Sequence, residues 1–358
     1  MSTPSPPGAG PASPATLVLG SGGARGMAHI GVIQALQEDG RFRLRAVTGS
    51  SIGALVGGLY AAGKLDDYTA WVRELRGGDV WSLLDFSFTR RGLFTGERLM
   101  KRLKDMLGDA QIEDLPIPFT AVACDLHRRQ EVWLDRGSLF EAIRASIAIP
   151  GLFTPVERDG RVLVDGGLLS PVPVVPALQH GAPCAIAVSL NGASDPSVTA
   201  RPAAGRPARP DAGREPARAN AVQEFLSWAG RRMGWADDSP PEPGTARARP
   251  PDDGFGLISK SVDAMQDRIA RHQLAACRPD LLIEIPVDAC GMLEFHRAED
   301  MIVLGRRRAR RALRELDRSG VDHEDDDGAQ EPSEPVSPAP PGRDANAANS
   351  ETGPASTA

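Results

Sequence analysis

Leu44-Arg45-Ala46-Val47-Thr48-Gly49-Ser50-Ser51-Ile52-Gly53-Ala54-Leu55-Val56-Gly57-Gly58-Leu59 reads as a strand, a sharp turn and a helix, with a serine at the apex. Such a turn drives the backbone into strained dihedrals, so glycine is favoured on both sides of the serine, as at Gly49 and Gly53. It also lifts the Ser51 hydroxyl out of the sheet. The hydroxyl then sits at the positive end of the following helix, where an oxyanion is stabilised. G-x-S-x-G alone is a common pattern, and its meaning depends on what accompanies it.

The same alternation precedes it. Leu17-Val18-Leu19 is a short buried strand and Gly20 to Gly26 a glycine-rich turn; Met27, Ile30, Ile33 and Leu36 then fall at helical spacing up to Gly40. Strand–helix alternation of this kind predicts a parallel sheet covered by helices. Further strands are expected at Phe119–Ala123 and Glu131–Leu134, an antiparallel pair, and at Val162–Val164, Ala185–Val188 and Leu281–Ile285.

Serine-based ester hydrolysis needs an activated hydroxyl, a base and donors for the developing oxyanion. Ser51 is the candidate hydroxyl. Ser21-Gly22-Gly23-Ala24-Arg25-Gly26 joins strand to helix with small residues whose backbone N–H groups can approach an oxygen. A dinucleotide fingerprint would need glycine where Arg25 stands and an acidic residue closing a following strand at the required distance, and this chain has neither. For the base, His180, His272 and His296 are candidates, but none follows a clear strand in a glycine-rich loop. Asp165 ends an apolar strand and is followed by Gly166 and Gly167, so its carboxylate can reach a cleft; Asp-Gly is also an ordinary turn dipeptide. Ser146 has no flanking glycines and reads as a helix-end residue.

Composition narrows the class. The chain has 358 residues, 41% of them hydrophobic, and a formal net charge of -6, which makes no case for a nucleic-acid partner. Its four cysteines, Cys124, Cys184, Cys277 and Cys290, lack metal-site spacing and read as reduced, packed thiols. Met1 to Pro14 carries neither a basic nor an apolar signal region, and no stretch is long and apolar enough to span a bilayer. The expected location is cytoplasmic, at most peripheral to the inner face of the membrane.

Four blocks taken in order resemble the patatin-like phospholipases: Ser21–Gly26, Gly49-x-Ser51-x-Gly53, Arg144-Ala145-Ser146-Ile147-Ala148-Ile149-Pro150-Gly151-Leu152-Phe153, and Asp165-Gly166-Gly167. The resemblance covers about 16–190 and continues more weakly over 255–317. The family's first motif usually begins with glycine, where this chain has Ser21. The resemblance implies an α/β, three-layer patatin-like fold with a mostly parallel central sheet flanked by helices. It implies a Ser51–Asp165 dyad without histidine, an oxyanion hole from Gly22, Gly23 and Ala24 with Arg25 shaping the loop, and supporting roles for Gly26, Gly49, Gly53, Gly166, Gly167 and Pro150. No metal or other cofactor is expected. The substrate it points to is a fatty acyl ester of a phospholipid or lysophospholipid, with Leu93, Phe94, Leu152 and Phe153 as candidate groove residues. A soluble-acyl esterase or thioesterase on the same fold, and a catalytically idle regulatory protein, are the alternatives.

The domain reading is a disordered lead-in (1–14), a catalytic core (15–192), a Pro/Arg/Ala-rich insert (193–252), the C-terminal part of the core (253–318) and a disordered acidic and Pro-rich tail (319–358). Within the insert, 221–235 forms one amphipathic helix with Trp228, Trp235 and Arg231-Arg232, a candidate for membrane contact. The cluster Arg306-Arg307-Arg308 with Arg310-Arg311 is a second candidate, which acidic residues near Asp322 to Asp327 could neutralise.

Overall fold

The computed structural model describes residues 12–199, apart from 85, 90, 91 and 95, and residues 254–321. Residues 221–235, where a helix was expected, most of the lead-in and most of the tail lie outside the described residues. The chain divides into a unit spanning Met1–Leu316, which holds the sheet and the candidate site, and another spanning Asp317–Ala358.

In chain order the elements are β1 (Ser13–Leu19), α1 (Met27–Asp39), β2 (Phe42–Ser50), α2 (Ile52–Ala61), α3 (Leu65–Glu74), α4 (Gly77–Leu84), β3 (Phe86–Thr89), β4 (Gly92–Phe94), α5 (Glu97–Leu107), β5 (Phe119–Asp125), β6 (Gln130–Leu134), α6 (Leu139–Ser146), β7 (Val156–Arg158), β8 (Arg161–Asp165), α7 (Val174–Ala177), β9 (Cys184–Gly192), α8 (Pro196–Thr199), α9 (Gly254–Ala276), β10 (Leu281–Pro286) and α10 (Ala298–Val321). β1 starts at Ser13, inside the expected lead-in, because the Ser13 N–H donates to Arg41 O and its backbone pairs beside Phe42. The segment 193–199, read above as insert, forms α8 and is held where Asp195 pairs with Arg308.

One eight-stranded sheet has the order β10-β9-β1-β2-β5-β8-β7, with β6 also on β5. β10, β9, β1, β2 and β5 run parallel, while β6, β8 and β7 are antiparallel additions. Parallel strands covered on both faces need apolar residues throughout, and β5, Phe-Thr-Ala-Val-Ala-Cys-Asp, is buried along its whole length. One face packs on α1, α2, α6 and α10 through Leu17, Ile30, Leu59, Ile143 and Ile302. The other carries a smaller cluster of Val18, Val172, Val174, Ala187 and Ala270 under α7 and α9. The three-layer α/β architecture with a mostly parallel sheet is therefore present.

The pairing along β5 positions the site. β6 occupies one edge of β5 from Ala121 to Asp125. The other edge is divided: β2 pairs with Phe119–Val122 and β8, running the opposite way, with Ala123–Asp125. The C-terminal ends of β2 and β8 thus meet head to head.

Candidate active site

Ser51 sits in the turn between β2 and α2 at φ 55 and ψ -124, a conformation an L-residue avoids and that costs roughly 1–3 kcal/mol. The turn closes so tightly that a Cβ on Gly49 would lie 2.3 Å from Gly53 O, and one on Gly53 would lie 2.1 Å from Leu19 O. Glycine at both positions is required by this approach, as the pattern around Ser51 suggested. The Ser51 N–H donates to Ser146 Oγ at 2.9 Å, and the Ser146 hydroxyl donates to Val122 O at 2.6 Å.

Asp165 ends β8. Its Oδ2 accepts a hydrogen bond from Ser51 Oγ at 2.5 Å, and its Oδ1 accepts from the Gly167 N–H at 2.7 Å. Its own N–H donates to Ala148 O at 2.9 Å. A Cβ on Gly166 would lie 2.0 Å from Val122 O, so only glycine lets the chain turn away from β5 here. Ser51 and Asp165 are 5% and 4% exposed. Burial pushes the Asp165 carboxyl up to about 7, against the opposing pull of the Ser51 and Gly167 hydrogen bonds.

Among the described residues no histidine bonds either Ser51 or Asp165. His180 Nε2 shares a hydrogen bond with Thr120 Oγ1 at 3.1 Å, His272 is exposed on α9, and His296 is exposed in the turn Phe295–Arg297. His29, not singled out from the sequence, is fully buried on α1 and bonds Gly20 O through Nε2 at 2.9 Å, which pins the start of the glycine-rich turn. Burial lowers its pKa to about 4, so at neutral pH the ring is uncharged and Nε2 carries the proton it donates.

The glycine-rich turn departs from expectation at Ala24, whose N–H donates to Met292 O at 2.8 Å. Residues 287–294 fold over the turn and consume that donor. The N–H groups of Gly22 and Gly23 donate to no group among the described residues. Gly23 adopts φ 60, and a Cβ there would lie 2.6 Å from Met292 O. The Arg25 side chain is committed to partners other than Ser51. It is 3% exposed, donates from Nη1 to Val287 O at 2.8 Å and pairs with Asp263 of α9 at 3.2 Å. It anchors the turn from behind. Gly26 packs against Ile52 at the start of α2, and Pro150 is exposed in the bend closed by Leu152 and Phe153 N–H on Ile149 O.

Ser51 and Gly23 both line an apolar groove with about 750 Å³ of empty space, its mouth included. Leu152 and Phe153 form part of its wall, with Leu55, Trp71, Ile147 and Phe295. The side chains of Leu93 and Phe94 lie outside the described residues.

Most arginines of the α10 cluster have acidic partners within the chain. Arg306 and Arg310 pair with Glu38, Arg308 with Asp195 and Arg311 with Glu315, so much of its charge is neutralised within the chain. The four cysteines are free. Among the described residues no group of His, Cys, Asp and Glu is placed to hold a metal ion, and no helix is long and apolar enough to cross a membrane.

The model of the patatin-like phospholipase family matches residues 17–178. An NTE family protein of Mycobacterium tuberculosis is 41% identical over 328 residues, covering 83% of this chain and 90% of the relative. Lysophospholipase NTE1 of Cryptococcus neoformans is 36% identical over 191 residues, 51% of this chain, and the match spans 11% of that protein's length. Among solved structures, VipD from Legionella pneumophila aligns at 16% identity over 86% of this chain and 67% of its own, with a TM-score of 0.46.

Proposed function

Since this chain belongs to the patatin-like phospholipase family, we propose that it is a serine lipid acyl hydrolase working through Ser51 and Asp165. The observation that carries the reading is the 2.5 Å hydrogen bond from Ser51 Oγ to Asp165 Oδ2 beside an apolar groove.

The chemistry runs in two halves. Asp165 Oδ2 takes the Ser51 proton as Oγ attacks the ester carbonyl, and the carbonyl oxygen becomes an oxyanion. The unpartnered N–H groups of Gly22 and Gly23 are its donors, with the Ile52 N–H, which opens α2 and has no partner within that helix. Collapse expels the alcohol, which takes the proton back from Asp165, and leaves an acyl ester on Ser51. Water then attacks that ester while Asp165 accepts its proton. The second collapse releases the fatty acid, and the proton returns to Ser51. An ordinary carboxylate, with a pKa near 4, is a poor base for this work. Burial brings Asp165 to about 7, closer to the serine it must deprotonate and still ionised above neutrality.

The groove beside Ser51 offers hydrocarbon contact and almost nothing polar, which suits a fatty acyl chain better than a polar acyl group. A phospholipid or lysophospholipid is the substrate class that fits, and the name of the fungal relative supports the single-chain form.

The test is fluorophosphonate labelling followed by mass mapping, together with turnover of dispersed lysophospholipid against a short soluble ester. The expected result is a label on Ser51 that is absent from Ser51→Ala, and faster turnover of the lipid. A wild-type chain that takes no label, or prefers the soluble ester, overturns the reading.

A further inference from the structure

The nucleophile's backbone is gripped by a segment distant in sequence. Ser146, the last residue of α6, accepts the Ser51 N–H and donates its only hydroxyl proton to Val122 O. Two residues on, Ala148 O accepts the Asp165 N–H. Ile147 and Ile149, between and after them, line the apolar groove. Residues 146–149 therefore touch both members of the dyad and the groove wall beside them.

Directionality gives these contacts their meaning. The Ser146 proton is committed to Val122 O, so the bond from Ser51 runs one way only, from amide to hydroxyl oxygen. Ser146 is also fully buried, which removes it as a nucleophile. The Ser51 N–H is occupied and takes no part in holding an oxyanion. The φ of 55 at Ser51 is unfavourable for serine and persists only where neighbours over-determine it. The Ser146 hydroxyl is a side-chain neighbour that bonds the strained residue itself.

From this, and resting on the Ser51–Asp165 reading above, we infer that Ser146 is a positioning residue. Its hydroxyl locks the Ser51 backbone in the turn conformation that aims Oγ at Asp165, and ties that turn to β5. It contacts neither substrate nor the reacting atoms.

The test compares two side chains of equal shape. Ser146→Thr keeps the hydroxyl and Ser146→Val replaces it with a methyl group, so strain from the added branch is common to both. The threonine variant is expected to exceed the valine variant in kcat by at least about tenfold, since small misplacement of a reacting group is costly. KM for dispersed lysophospholipid should be equal in the two. The midpoint of the pH–rate profile should match the wild type in the threonine variant and lie no lower than it in the valine variant, where a misaimed Ser51 hydroxyl pulls less on the Asp165 carboxyl. If neither branched variant folds, Ser146→Ala carries the same expectation against the wild type, per folded molecule. Equal kcat in the compared proteins, or a difference confined to KM, overturns the inference while leaving the dyad reading intact. A wild-type Ser51 that takes no fluorophosphonate label overturns both.

Discussion

Ser50 and Asp165 stand at successive rungs of one edge of β5: Ser50 is level with Val122 and Asp165 with Ala123. One arrives on a strand parallel to β5 and the other on a strand antiparallel to it. Where their ends meet, Ser51 turns out of the sheet and finds the Asp165 carboxylate at 2.5 Å. The proximity is set by backbone pairing, so each side chain needs little freedom to reach the other.

Removing either reacting group should stop the reaction. Ser51→Ala and Asp165→Asn are each expected to lower kcat/KM for lysophospholipid by about a thousandfold or more, the scale seen when a coupled catalytic unit is broken. His180→Ala, His272→Ala and His296→Ala should retain most activity, because none of these rings bonds Ser51 or Asp165. Steady-state kinetics on folded variants check this; an inactive but folded histidine variant would contradict the two-residue mechanism.

The rate should depend on pH through Asp165. The base form is the ionised one, and burial brings its pKa to about 7. Activity should therefore rise with pH, with a midpoint near 7 in kcat/KM. An unperturbed carboxylate would give a midpoint about three pH units lower. A pH–rate profile on a soluble short ester, whose dispersion does not vary with pH, distinguishes the two.

The same burial has a cost in stability. In the unfolded chain Asp165 ionises near 3.8, and in the folded chain near 7. Between those values the folded state holds a proton that the unfolded state has lost. Stability therefore falls as pH rises from about 4 to about 7, and the loss is constant above. Asp165→Asn carries no such penalty. Its thermal midpoint should exceed the wild type at pH 8, and the gap should close toward pH 4. A gap that does not vary with pH would show that the carboxylate is not desolvated.

Arg25 is expected to act on the reaction without touching it. Its guanidinium joins the glycine-rich turn to Val287 O and to Asp263. Arg25→Met removes both bonds and leaves a part-buried carbonyl unpaired, at about 2 kcal/mol of stability. Loosening the turn that carries Gly22 and Gly23 should lower kcat more than it raises KM. Chemical denaturation and kinetics on the same preparation measure the two effects.

The local features were legible; Ser51 and Asp165 could be paired only through the family's ordered motifs, and the other long-range contacts were not legible at all. The turn around Ser51 announces itself because Gly49 and Gly53 bracket it within five residues. β5 and β6 could be expected as a pair because they are neighbours in sequence. The role of Ser146 could not be read, since its partner lies 95 residues away and its own surroundings look like any helix end. The Ala24 N–H looked free because nothing near it in sequence hints that Met292 O will cover it. The α10 arginines looked available for the same reason: Arg310 meets Glu38, 272 residues distant. His29 gave a weak signal, a polar ring on the apolar face of α1, which becomes informative only once Gly20 O is seen opposite it.

The shared edge of β5 also bears on how the molecule acquires activity. Ser51 and Asp165 are 114 residues apart, and β8 can take its rungs only after β5 is in place. Distant pairings of this kind form late and slowly. A refolding chain is thus expected to gain its helices before it brings Ser51 and Asp165 together. The onset of fluorophosphonate reactivity during refolding is expected to coincide with docking of the β7–β8 hairpin on β5, later than the recovery of helical signal.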